Sequence, residues 1–79
     1  MIKATLRYTD CLQDGRNVFK ILAENHISII KTTTPILSIY PKIIALFPND
    51  NELHDVLYQL NNTCNYEVRL VKCTTVKEN

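Results

Sequence analysis

Glycine occurs once in the chain, at Gly15, and the three cysteines, Cys11, Cys64 and Cys73, form no CxxC pair. A disulfide framework in a small secreted domain normally needs four or more cysteines, so reduced thiols are expected. His26 and His54 stand alone, without a Cys or His partner at ligand spacing, and no metal site is expected. No Ser-His-Asp or Cys-His constellation is legible, and Cys11 has no neighbouring base, so neither enzymatic activity nor a cofactor is expected. No apolar run approaches the ~18 residues of a membrane span. No signal-peptide pattern opens the chain, which points to a cytoplasmic protein and leaves the Asn61-Asn62-Thr63 sequon without a role. Charge of one sign is scarce too. Nine Lys/Arg against eight Asp/Glu leave +1. That total speaks against a binder held to nucleic acid mainly by phosphate neutralisation, and equally against an acidic DNA mimic.

What is present fits one globular domain. The chain has 79 residues, 46% apolar and 22% charged, too apolar for disorder. A chain of this size buries roughly 60% of the surface its unfolded form exposes. Residues 1–73 read as one domain and 74–79 as a polar tail.

The pattern along the chain divides into six segments. Ile2, Ala4, Leu6 and Tyr8 alternate with Lys3, Thr5, Arg7 and Thr9, as in a half-buried strand. Asp10 to Gly15 breaks the alternation, and Asp14 is the expected N-cap of a helix reaching about Asn25, with Val18, Phe19, Ile21 and Leu22 as its apolar stripe. Residues 27–34 are almost all β-branched and predict a second strand. Pro35 removes a ladder donor, and Ile36 to Ile39 extend the strand beyond that irregularity. After a turn at Tyr40-Pro41, Lys42 to Phe47 predict a third strand, apolar on both faces and therefore central. Asn49 and Glu52 have capping-box spacing, and Leu53, Val56, Leu57 and Leu60 follow at helical spacing. Asn61-Asn62 ends that helix. Tyr66, Val68 and Leu70 alternate with Glu67, Arg69 and Val71 in a last strand.

The order β-α-β-β-α-β with right-handed crossovers predicts an α+β, ferredoxin-like sandwich: a four-stranded antiparallel sheet with both helices on one face. Lys3, Thr5, Arg7, Glu67, Arg69 and Val71 then line the opposite face. Strand three presents to it either Ile43, Ala45 and Phe47 or Ile44 and Leu46. The first set, with Arg7 and Arg69, is the candidate interface for a homodimer or a protein partner, because an apolar stripe on an uncovered sheet marks association. Strand two, β-branched and lightly charged, offers a sheet edge as a second route. Binding of RNA to the sheet calls for aromatics on strands one and three, where Phe47 stands alone, so nucleic acid is not expected as a partner.

Gly15-Arg16-Asn17-Val18-Phe19-Lys20-Ile21-Leu22-Ala23-Glu24-Asn25-His26-Ile27-Ser28-Ile29 resembles the first helix and second strand of the ACT domain. Asn51-Glu52-Leu53 through Leu60 resembles its second helix, and Tyr66-Glu67-Val68 its closing strand. Asp10 and Gly15 stand further apart than in that family's pattern, and no proline precedes the glycine. The resemblance implies a regulatory module that pairs side by side and binds an amino acid or other small effector at the loop between strand one and helix one. Mapped here, that site comprises Asp10, Asp14, Gly15, Arg16 and Asn17, with helix-start amides holding a carboxylate. Two other proteins of this topology are excluded by missing motifs. The Gly-x-x-x-Gly-x-x-x-Arg setting of an acylphosphatase is lacking, as is the CxxC of a copper chaperone. The competing class is a ligand-free adaptor, a phage or mobile-element product that binds a host protein.

Overall fold

A computed structural model describes residues 1–9, 11–33 and 40–77. The elements run β1 (Ile2–Arg7), α1 (Leu12–Glu24), β2 (Ser28–Thr33), β3 (Lys42–Phe47), α2 (Asp50–Thr63) and β4 (Arg69–Thr75). They form one sheet in the order β2-β3-β1-β4, with every neighbouring pair antiparallel. This is the ferredoxin-like arrangement that the element order predicts. The suggested extension Ile36 to Ile39 lies outside the described residues. No described helix is long and apolar enough to cross a membrane.

The alternation in β1 produces the core directly. Ala4, Leu6 and Tyr8 are buried, and the β1–β3 register sets Ala4 opposite Ala45 and Leu6 opposite Ile43. Phe47, Ile43 and Ala45 are wholly buried with them. The helices close the other side with Val18, Ile21 and Leu22 from α1 and Leu53, Val56 and Leu60 from α2. Ile43, Ala45 and Phe47 therefore belong to the core beneath the helices, and their expected place on the open face is corrected. Ile44 and Leu46 point the other way and are half-buried.

Helix termini explain most of the local boundaries. Asn49 Oδ1 accepts the Glu52 amide hydrogen at 2.8 Å and starts α2 as its spacing predicts. Helix α1 starts earlier than expected. Its N-cap is Cys11, whose side chain makes no capping bond, and Asp14 sits inside the first turn. At the other end of α1, the His26 amide donates to Ala23 O at 3.0 Å and the Ile27 amide to Leu22 O at 2.9 Å. That bond pair is a Schellman motif, with buried Ile27 and Leu22 as its apolar contact. His26 takes the left-handed position, φ 57°, usually filled by glycine.

The fourth strand begins at Arg69, later than the alternation from Tyr66 predicts. Asn61 takes over the hydrogen bonds of Val68: its Oδ1 accepts from Val68 N at 2.9 Å, and its Nδ2 donates to Val68 O at 3.0 Å. The strand also ends later, since Thr74 and Thr75 pair with Lys3 and Ile2 and the Val76 amide donates to Met1 O. The sheet thus takes up the first part of the expected polar tail.

Candidate functional sites

The first candidate site is the β1–α1 junction. Asp14 is buried there, and its carboxylate accepts the amide hydrogens of Asn65 at 2.8 Å and Tyr66 at 3.0 Å. Both oxygens are spent tying the start of α1 to the segment that leads from α2 into β4. Asp14 is thus a latch inside the fold, and the role of N-cap or of ligand contact expected for it is corrected. Asp10 lies outside the described residues. Gly15 is half-buried beneath Tyr8, where an added Cβ would lie 3.9 Å from that ring. That is ordinary van der Waals contact, so space alone does not demand glycine.

Gly15 and the exposed Arg16 share a hollow of about 470 Å³ with Tyr8, Cys11, Leu12 and Phe19. Asn17 faces elsewhere, into a depression of about 370 Å³ between α1 and α2 that also takes in Lys20, Glu24 and Tyr58. Its Oδ1 accepts from Gln13 Nε2 at 3.4 Å. Of the four described residues among those expected at this loop, Gly15 and Arg16 share the hollow, and Asp14 and Asn17 do not line it. Phe19 was absent from the expected set because a helical stripe reads as core, yet it is 43% exposed; Leu12 fell in the segment read as loop and instead opens α1.

The nearby Cys64 thiol is held protonated by its position. Cys64 lies 3.9 Å from Asp14 O, and burial, followed by repulsion from Asp14 and Cys11, pushes its thiol up to about 11. It stays protonated and non-nucleophilic at neutral pH. No group of three His, Cys, Asp or Glu among the described residues has the arrangement of a metal site.

The second candidate is the sheet face away from the helices, which pairing defines row by row. Thr33, Lys42, Arg7 and Arg69 form one row across β2, β3, β1 and β4. Lys31, Ile44, Thr5 and Lys72 form the next, and Ser28, Leu46, Lys3 and Thr74 the third. Two irregularities build this pattern. Register shifts between Ile29 and Lys31 in β2, and opposite Thr5 and Leu6 in β4, leave Ile30 and Val71 as extra residues. Each bulge reverses the side-chain parity beyond it. Strict alternation would put Lys31 with Ile29, and Lys72 with Leu70, towards the helices. The bulges turn both lysines outward instead. Arg7 lies over the Tyr40 ring, 4.6 Å from its centroid, and Arg69 Nε pairs with Glu67 Oε1 at 2.6 Å.

No protein-family model matches the chain, and no curated protein is found to match it.

Proposed function

We propose that this protein is a non-enzymatic, ACT-like binding module whose β1–α1 hollow takes a small effector carrying a carboxylate and an apolar side chain, such as an amino acid. The single observation behind this reading is the hollow itself, where one exposed cation, Arg16, borders the apolar surfaces of Tyr8, Leu12 and Phe19. A guanidinium can hold a carboxylate by two parallel hydrogen bonds, and the apolar wall favours an aliphatic or aromatic side chain. Selectivity then follows the shape of the wall, while Arg16 gives affinity for the common carboxylate.

A thermal-shift panel of the twenty amino acids tests this. A ligand that binds only the native state raises the melting temperature in proportion to RT ln(1 + [L]/Kd). At least one apolar amino acid should raise the melting temperature of the wild-type chain, and Arg16→Gln should lose that response. A flat panel refutes the effector reading and favours the ligand-free adaptor.

Self-association is proposed through the β2 edge. Ile29 and Ile30 are exposed on that edge strand, whereas face-to-face stacking would set like charges against one another. A monomer mass by light scattering at high micromolar concentration would remove this part of the proposal.

A further inference from the structure

Six of the nine Lys/Arg residues, Lys3, Arg7, Lys31, Lys42, Arg69 and Lys72, lie on the open sheet face. A total of +1 is thus a sum over two unlike surfaces. Among the described residues, Glu67 is the one acid that ion-pairs with any of the six. Asp14 is buried, while Glu24, Asp50, Glu52 and Asp55 belong to the helical layer.

The arrangement works against the stability of the sheet. Lys42, Arg7 and Arg69 are direct cross-strand neighbours. Their Cβ atoms are about 5 Å apart, and like charges in that position repel. Tyr40 and Glu67 relieve Arg7 and Arg69 only in part, and Lys42 has no such partner among the described residues. Both edge-strand bulges add a lysine to the same surface. A fold that collects cations against their mutual repulsion is matched by a partner that supplies a dense array of negative charge.

The geometry points to the phosphate backbone of double-stranded nucleic acid as that partner, gripped without reading its sequence. Four of the six cations are lysines, compact charges on flexible stems that meet a phosphate as point charges and carry no fixed fork to read a base edge. Lys31 and Lys72 sit on opposite edges of the sheet, about 14 Å apart by strand spacing. That span is similar to the ~12 Å width of a major groove, so both phosphate rows lie within reach. The outward rows contain Thr, Ser, Ile and Leu between the cations, and the one aromatic ring the described residues set against them, Tyr40, is stacked with Arg7. Base stacking, on which single-strand binding depends, is therefore poorly served, and a duplex needs none.

Fluorescence anisotropy with a labelled mixed-sequence duplex of about 20 base pairs tests the assignment, with oligo-dT and polyglutamate of similar length as the other arms. The duplex should bind with little sequence preference. If five or six phosphates are neutralised, affinity should fall about 10³-fold between roughly 50 and 200 mM salt. Lys42→Glu should weaken binding about tenfold or more and flatten the salt slope by one to two, roughly. The same change turns a like-charge contact with Arg7 into an opposite-charge one, so its melting temperature should hold or rise. Loss of binding in that variant then cannot come from unfolding. Absence of duplex binding at the lower salt, salt-independent binding or an unaffected Lys42→Glu overturns the assignment. So does polyglutamate binding as tightly as the duplex, which would make the face a site for an acidic protein, or oligo-dT binding more tightly, which would make it a single-strand site.

Discussion

Replacing Asp14 with alanine removes the acceptor for two backbone amides at once. Hydrogen bonds to a charged group contribute about 1.5–3 kcal/mol each, and an amide left buried without a partner costs about 1–3 kcal/mol. The two bonds are not additive, because Asn65 and Tyr66 are exposed as residues and water can reach part of their backbone. A loss of about 2–4 kcal/mol is therefore expected for Asp14→Ala. Against a total stability on the order of 4–12 kcal/mol for a chain of this length, that is a large share. Each kcal/mol shifts Tm by about 4–8 °C in a domain of this size, so thermal melting should drop by roughly 8–32 °C. Asp14→Asn should not rescue the fold. Its amide oxygen can accept one hydrogen, but its NH2 then faces the second donor. Denaturant melts with a fixed m-value give the energy, and hydrogen exchange at Asn65 and Tyr66 gives the location. A loss below about 0.5 kcal/mol, or unchanged protection at those two amides, would refute the latch.

Three further outcomes follow from the same contacts. Leu60→Ala, at a fully buried position, should cost about 2–5 kcal/mol in chemical denaturation; Leu57→Ala, at a half-buried one, should cost clearly less, and equal losses would contradict the packing of α2. His26→Gly should stabilise the protein by about 0.5–1 kcal/mol, because glycine adopts φ 57° without a Cβ penalty; destabilisation would mean that the imidazole contributes a contact of its own. Cys64 holds its proton more tightly when folded than unfolded. Its share of stability is thus intact below the ordinary thiol value of 9.0 and is lost as pH rises towards about 11. Alkylation at pH 8 followed by peptide mass mapping should label exposed Cys73 first and Cys64 last, and early labelling of Cys64 would oppose the assigned burial.

Much of this architecture was legible because local pattern and burial agree. Period-two alternation from Ile2 to Tyr8 selected the buried face of β1 without knowledge of its neighbours. The Asn49–Glu52 spacing located the start of α2, and the β-branched run after His26 located β2 within a residue or so. The apolar third strand was ambiguous because Ile43 to Phe47 offers two hydrophobic faces. Only pairing with β1, which sets Ala45 beside Ala4, decided which of them meets the helices.

The candidate sites were less legible, for a different reason. Asp14 reads as a helix cap because its local context is a helix start, but its partners lie 51 and 52 residues away. The hollow joins Tyr8 of one segment to Phe19 of the next, a juxtaposition that helical periodicity misfiles as core. Alternation places Lys3, Arg7 and Arg69 on the charged face, but Lys31 and Lys72 join it through two bulges, and alternation cannot anticipate an extra residue in an edge strand.

Composition and periodicity by themselves determined the α+β class, its six elements and their order, since each element's period is a property of nearby residues. Tertiary structure alone decided that Lys31 and Lys72 join the charged face and which carboxylate is buried. Strand register and long-range hydrogen bonds set those outcomes, and both are relations between segments far apart in the chain.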